Sequence, residues 1–263
     1  MGSSEVLYQP LLGDPPAETL LSGGARLRLR FRHVLLVAVA LPLFGFLFCV
    51  GWSLLFHFES ATSTHCKVAN YLPSLSAAIG NFTVQRRVWK TVIALHALPR
   101  FLIGYLYYGY WRRTLAPLHS ARLLMLTAQV FYVSENFGLL GLSFVTSAEN
   151  FPVHKSGFIL FLTSAGFYML LTIWLSGLPR ARVTTRRERV SSRRKRLLFG
   201  VYCTCLTLSM YFYARHNESC EAGIYTLFAL SEYLVVLSNI AFHGTAYWDM
   251  YERVFDFGTC KWS

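Results

Sequence analysis

The sequence predicts an all-α membrane protein, a bundle of six transmembrane helices. Two features of the chain lead to this fold class. Hydrophobic residues make up 54% of the 263 positions, and charged residues make up only 14%. The hydrophobic residues are concentrated in six stretches of about 20 residues, the length of helix that crosses the hydrocarbon core of a bilayer. In chain order the stretches are 34–56, 91–111, 123–145, 157–178, 197–214 and 223–247.

The boundaries of the stretches follow from the residues beside them. The first stretch is too long for the core of a cleavable signal peptide, so it is an anchor. The second ends at Trp111 and is followed by two arginines, and the third begins after another arginine. The fourth and fifth flank a basic run, 179–196, and the sixth ends just before Trp248. Tryptophan and basic residues are enriched at membrane interfaces. The predicted organisation is a cytosolic tail at 1–33, a membrane domain at 34–250 and a cytosolic tail at 251–263.

The distribution of basic residues predicts that both termini are cytosolic. With the N-terminus in the cytosol, the cytosolic segments contain 18 Lys and Arg residues and the opposite side contains five. Such an excess marks the cytosolic side. Glycosylation sequons at Asn81 and Asn217 fall on the luminal side in the same arrangement. The net charge of +12 does not indicate nucleic-acid binding, because the basic residues lie beside span ends, where they attract anionic lipid.

Two cysteines fall in the predicted luminal loops. Cys66 lies between the first two spans and Cys220 lies between the last two. Disulfides form in oxidising compartments, so we predict a bond between these two cysteines. Two free thiols, or a metal site with His65 and His216, are the alternatives. Because the spacing matches no local metal-binding motif, no metal site is expected.

Three charged residues interrupt the apolar stretches at a similar depth. Arg100, Glu135 and Glu232 each fall about 14–15 Å from the luminal end of their span, at 1.5 Å per residue. A charge in that position is costly and usually faces a protein-lined cavity. We therefore expect the three groups to meet in one layer and to line a lipid-sized cavity that opens to the lumen. The polar residues nearest to them on the same spans are His96, Asn136, Asn239 and His243.

Two interpretations of this layer are compatible with each other. In the structural one, Arg100 forms a buried ion pair with a glutamate and fixes the helix register. In the functional one, Arg100 contacts the phosphate of a lipid headgroup, and His96 acts as general base toward a hydroxyl. Glu135 or Glu232 then orients the histidine or the arginine. The substrate-binding groups of this site are Arg100, Asn136, Asn239 and His243, and no activated serine or cysteine stands out that would form a covalent intermediate.

Several short segments resemble the Frag/DRAM/Sfk family of membrane proteins, and together they cover about residues 27–250. The most specific of these segments is 220–226, Cys-Glu-Ala-Gly-Ile-Tyr-Thr. The other segments are 64–66, 70–74, 79–80, 85–86, 88–89, 95–96, 99–102, 135–136, 215–217, 232–233, 239, 241–243 and 248–249.

The resemblance implies a six-span Golgi protein, with a possible contribution in the endoplasmic reticulum. It also implies a role in the lipid remodelling of glycosylphosphatidylinositol (GPI) anchors, at the step that adds a saturated acyl chain to the free sn-2 hydroxyl of lyso-GPI. The acyl donor is either acyl-CoA or a membrane phospholipid, and no bound cofactor is expected. The implied partners are membrane lipid, the lyso-GPI anchors of GPI-anchored proteins and other GPI-remodelling proteins. The alternative is an escort protein that binds GPI intermediates and presents them to a separate acyltransferase. A channel or transporter is less well supported, because the charges form one layer and not a path.

Overall fold

A computed structural model describes residues 28–115, 118, 121–179, 184–251 and 253–256 of the chain. Six long helices of 21–34 residues dominate it. In chain order the elements are β1 (Arg28–Arg30), α1 (Phe31–Phe56), α2 (Phe58–Thr62), α3 (Leu75–Gly80), α4 (Thr83–Thr114), α5 (Ala121–Phe144), α6 (Phe151–Gly177), α7 (Arg186–Ser219), α8 (Ile224–Gly244), α9 (Ala246–Asp249) and β2 (Val254–Asp256).

The prediction of an all-α membrane protein is confirmed. Among the described helices, five are long and apolar enough to cross a membrane: α1, α5, α6, α7 and the continuous region of α8 and α9. The helix that falls short is α4, which contains Arg86, Arg87, Lys90 and Arg100 within its 32 residues. The count of six spans, the orientation and the exact span limits stay predictions.

The six long helices form a ring in the order of the chain. Each one packs against the next, and α8 closes the ring against α1. The three short helices lie in the connections, with α2 and α3 between α1 and α4 and α9 directly after α8. The connections between consecutive helices from α4 to α8 are short, which favours this arrangement because consecutive helices that run in opposite directions become neighbours.

Glycines bring α5 and α6 into close contact. A Cβ atom added to Gly138 would lie 2.6 Å from the backbone nitrogen of Phe161, and one added to Gly157 would lie 2.8 Å from the backbone nitrogen of Leu142. Small residues allow helix backbones to approach closely in membranes, where packing takes the place of the hydrophobic effect between helices. This contact holds the middle of α5 in place.

Local signals fix the helix ends. Thr185 and Glu188 form a capping box at the start of α7, and the side chain of Asn150 caps α6 by accepting a hydrogen bond from Val153. α7 ends at Ser219, and the next residue, Cys220, caps the helix in a left-handed conformation with φ of 50°. α4 continues through Pro99 without a break in the helix.

A two-stranded ribbon joins segments from the two predicted tails. β1 and β2 pair antiparallel, with Arg30 opposite Val254, and the backbone N–H of Phe31 donates to the carbonyl of Arg253 at 3.0 Å. No pattern in the sequence predicts this pairing. It places the start of α1 and the region after α9 at the same end of the bundle.

Candidate functional site

Arg100 and Glu135 form a buried ion pair between α4 and α5. Nη2 of Arg100 lies 2.5 Å from Oε1 of Glu135, and the two side chains are 6% and 0% exposed. The same carboxylate oxygen accepts a hydrogen bond from Nδ2 of Asn239 at 2.8 Å. His243 completes the group, so three helices (α4, α5 and α8) supply its members. We call these four residues the polar centre.

His243 is held in two ways inside the polar centre. Its Nε2 atom lies 2.8 Å from Nη2 of Arg100 and 3.0 Å from Oε1 of Glu135. One ring nitrogen either donates or accepts, so a protonated Nε2 donates to Glu135 and an unprotonated one accepts from Arg100. The imidazole ring stacks on Tyr168 at 5.2 Å, with an angle of 7° between the planes.

Tyr132, on α5, packs against Arg100 of the polar centre. Its hydroxyl donates to the backbone carbonyl of Arg100 at 2.7 Å, and its ring centre lies 5.6 Å from the guanidinium carbon. A Cβ atom on Gly104 would overlap this ring. Sequence reasoning missed Tyr132, although its position three residues before Glu135 places both side chains on one face of α5.

Asn136 does not join the polar centre. Its Nδ2 atom donates at 2.8 Å to the carbonyl of Tyr132, one turn earlier in the same helix. The adjacent positions 135 and 136 point in different directions around α5, because consecutive helical residues are about 100° apart. Its predicted role in substrate binding stays a prediction.

His96 lies beside the polar centre and is 2% exposed. Neither ring nitrogen makes a hydrogen bond of good geometry with a described residue. His96 lines a cavity of about 20 Å³ together with Arg100 and His243, and residues of α1, including Leu35, form the opposite wall. A cavity of this volume holds about one water molecule.

Among the residues that the structure describes, the space around His96 and Arg100 is therefore much smaller than the expected lipid-sized cavity. The space that exists lies mainly between α1, α4 and α8, whereas we expected it among the second, third and sixth spans. Apolar residues of α1 such as Leu35 and Pro42 form one wall of this small space, so α1 lies where the larger cavity was expected.

The expectation that Glu232 shares a layer with Arg100 is wrong. Oε2 of Glu232 accepts a hydrogen bond from the backbone N–H of Leu75 at 3.0 Å, at the start of α3. The cause is axial stagger. α4 begins at Thr83, so Arg100 is about 26 Å into its helix, whereas Glu232 is only about 12 Å into α8. His243, about 28 Å into α8, is the residue that is level with Arg100.

A disulfide links the connection between α1 and α4 to the connection between α7 and α8. Cys66 and Cys220 are bonded, with a Cα–Cα distance of 5.3 Å. The backbone N–H of Gly223 donates to the carbonyl of Ala69 at 2.9 Å, and the hydroxyl of Tyr233 donates to the carbonyl of Pro73 at 2.6 Å. We call this end of the bundle the disulfide end. Both sequon asparagines, Asn81 and Asn217, are exposed here, and their glycosylation stays a prediction.

The disulfide takes up the two sulfur atoms that a metal site at the disulfide end would need as ligands. The rings of His65 and His216 lie 5.5 Å apart next to the disulfide. Zinc is bound by thiolates, and the two sulfur atoms are bonded to each other. Nε2 of His216 lies 3.1 Å from the hydroxyl of Thr64, which gives this histidine a structural partner.

A serine and a histidine meet at the disulfide end, and sequence reasoning missed both. Oγ of Ser76, on α3, lies 2.9 Å from Nε2 of His154, near the start of α6. Nδ1 of His154 lies 2.9 Å from the backbone carbonyl oxygen of Val145. The two residues are 78 positions apart and match no spacing motif, so only the fold reveals the pair.

The acidic loop residue Glu149 links α4 to the loop before α6. It accepts hydrogen bonds from the backbone N–H of Thr146 at 2.9 Å and from Nζ of Lys90 at 3.2 Å. These two donors lower the pKa of Glu149 to about 2. The contact is at the surface, where it fixes the turn that precedes His154.

The opposite end of the bundle contains a second buried charge pair. Nζ of Lys195 lies 2.5 Å from Oδ2 of Asp249, which also accepts a hydrogen bond from the hydroxyl of Tyr107 at 2.6 Å. From the basic run 179–196 we predicted a topology signal, with binding of acyl-CoA phosphates as the alternative. α7 turns this lysine inward, while Arg194 lies over the ring of Trp248 at 4.1 Å.

Comparison with known proteins gives a consistent result. A family model described as the Frag1/DRAM/Sfk1/Cwh43P N-terminal domain matches residues 30–253. A Xenopus tropicalis protein named acyltransferase PGAP2 is 48% identical over 223 residues, which covers 84% of this chain and 88% of that protein. Proteins named post-GPI attachment to proteins factor 2 from Drosophila pseudoobscura pseudoobscura and Drosophila melanogaster are each 45% identical over 224 residues, 85% of this chain and 87% of theirs. No solved structure matches the chain.

Proposed function

Because the chain belongs to the Frag1/DRAM/Sfk1/Cwh43P family of membrane proteins, we propose that it adds a saturated acyl chain to the sn-2 hydroxyl of lyso-GPI anchors. One observation carries this proposal. Relatives that are 45–48% identical over most of the chain are named an acyltransferase in one case and a post-GPI attachment factor in two others. The first name supplies the reaction class and the second supplies the class of substrate.

The reaction takes place in the Golgi membrane, on the side that the disulfide end faces. Disulfides form in oxidising compartments such as the secretory lumen, and two exposed sequon asparagines lie at the same end as the disulfide. The GPI anchor lies in the luminal leaflet. Its glycerol hydroxyl is therefore presented to the disulfide end, and other GPI-remodelling proteins are the expected neighbours.

The polar centre has a structural role in this proposal. The carboxylate of Glu135, on α5, contacts a guanidinium from α4 and an amide and an imidazole from α8. These contacts hold α4, α5 and α8 together. In the arrangement described here Arg100 reaches a lipid phosphate only after its pair with Glu135 opens. The roles of His96 as general base, of Glu135 and Glu232 as orienting groups, and of Arg100, Asn239 and His243 in headgroup binding stay predictions.

Purified protein in phosphatidylcholine vesicles tests the proposed function. The vesicles contain lyso-GPI and one of two donors, stearoyl-CoA or a phospholipid with a stearoyl chain. Mass spectrometry then detects GPI with a new stearoyl group at sn-2, and the donor that supplies it is identified by omission. Vesicles with an unrelated membrane protein purified in parallel are the control. Binding of lyso-GPI without any turnover from either donor would refute the enzyme and support the escort protein.

A further inference from the structure

We propose that Ser76 is the nucleophile of a two-step acyl transfer and that His154 is its general base. This inference rests on the acyl transfer proposed above and assigns residues to it. The pair has the geometry of an activated nucleophile: a hydroxyl 2.9 Å from an imidazole nitrogen, and a third group that orients the imidazole.

The hydrogen-bond pattern selects the correct tautomer of His154. The carbonyl oxygen of Val145 can only accept, so Nδ1 of the neutral ring, 2.9 Å away, carries the proton. Nε2 is then the acceptor, and the hydroxyl of Ser76 donates to it at 2.9 Å. A histidine held in this tautomer is ready to take the serine proton.

The backbone around Ser76 is fixed by neighbouring elements. The N–H of Leu75 donates to Glu232 at 3.0 Å, and the hydroxyl of Ser74 accepts from the N–H of Ala77 at 3.1 Å. Leu75 and Ala78 are buried, whereas Ser76 is partly exposed. The serine is thus held firmly and remains accessible, which favours reaction because little positional freedom is left to lose.

The depth of the pair suits a lysolipid. His154 is about 5 Å from the first residue of α6, whereas His96 is about 20 Å into α4. The glycerol hydroxyl of a lysolipid lies in the interfacial region and not at the centre of the hydrocarbon. Exposed apolar side chains at Phe151 and Val153, which precede His154 in sequence, are compatible with acyl chains that stay in the bilayer beside the pair.

The proposed reaction has two balanced halves. In the first, Oγ of Ser76 bonds to the carbonyl carbon of the donor and its proton passes to Nε2 of His154. The bond from that carbon to the donor sulfur or oxygen breaks, and the leaving group takes the proton. In the second, the sn-2 oxygen bonds to the same carbon and gives its proton to His154. The bond to Ser76 breaks, and Oγ takes the proton back.

Acyl loading without lyso-GPI tests the first half directly. The full-length protein in phosphatidylcholine vesicles is incubated with alkyne-stearoyl-CoA or, separately, with phosphatidylcholine that has an alkyne-stearoyl chain, and protein-bound alkyne is detected on a gel. We expect label on the natural protein that resists neutral hydroxylamine and is removed by alkaline hydroxylamine, as an oxygen ester is. Ser76→Ala abolishes the label. Ser156→Ala, an exposed serine on α6 that bonds only within its own helix, is the matched control and keeps it.

A thiol at the same position separates chemistry from folding. Ser76→Cys should form a thioester that neutral hydroxylamine cleaves, a change that no structural role of the serine explains. His154→Gln should slow loading at least about a hundredfold, the usual contribution of a general base. A natural transfer rate to lyso-GPI in Ser76→Ala would overturn the inference and leave the proposed function standing. Acyl-serine that is never passed to lyso-GPI would support the pair and refute the assigned acceptor.

Discussion

Removing Glu135 tests how much the polar centre contributes to the fold. Glu135→Ala leaves the guanidinium of Arg100 buried at 6% exposure without its carboxylate, and it removes the acceptor of Asn239. Breaking a buried ion pair on one side typically costs about 3–5 kcal/mol, because the remaining charge has lost its partner. With about 2–4 °C of melting temperature per kcal/mol for a chain of this size, we expect a loss of roughly 6–20 °C.

The assay is thermal unfolding of the purified protein in detergent, followed by the fraction that remains monodisperse on size exclusion. Glu221→Ala is the matched control. Its ion pair with Arg215 is about 40% exposed, so this variant should lose less than about 1 kcal/mol. The double variant Arg100→Met with Glu135→Leu should recover the part of the loss that comes from the unpaired guanidinium, because apolar pairs often replace buried ion pairs without cost, while the part that comes from the missing acceptor of Asn239 remains. A melting temperature of Glu135→Ala equal to that of Glu221→Ala, or a double variant as unstable as the single one, would refute the reasoning.

Three further predictions concern packing, pH and the catalytic base. Gly157→Ala should destabilise the protein by about 1–3 kcal/mol, because its Cβ meets the backbone of α5, whereas Gly177→Ala on the same helix, with open space around it, should not. The pKa of Glu149 is lowered to about 2 in the folded protein. The contribution of Glu149 to the stability of the fold is therefore present above about pH 4.5 and is lost as the pH falls toward 2. The melting temperatures of the natural protein and Glu149→Gln should therefore converge over that interval, and a constant difference would contradict this. If Ser76 and His154 carry out the chemistry, His96→Ala should transfer acyl groups at a rate within about twofold of the natural rate. A loss of rate of about a hundredfold or more with unchanged stability would instead identify His96 as the general base.

The lengths of the helices show which helix boundaries could be predicted from the local sequence. The predicted spans 91–111 and 197–214 both fall inside longer helices, Thr83–Thr114 and Arg186–Ser219. Charged residues end the apolar stretch but not the helix, because helices extend beyond the hydrocarbon where water and headgroups solvate their side chains. The capping box at Thr185 and Glu188 was a readable signal for the true start of the second of these helices.

From the sequence we could predict the membrane class, the six long apolar segments, the disulfide as the preferred pairing and a contact between Arg100 and a glutamate. These follow from apolar length, from the small number of luminal cysteines and from the high cost of an unpaired charge in a membrane. Packing between distant helices sets the rest: Glu135 and not Glu232 is that glutamate, α1 forms a wall of the small cavity beside His96, and Ser76 meets His154. The physical reason is axial stagger: how far each helix slides past its neighbours depends on packing between distant parts of the chain, and a shift of one turn changes every partner.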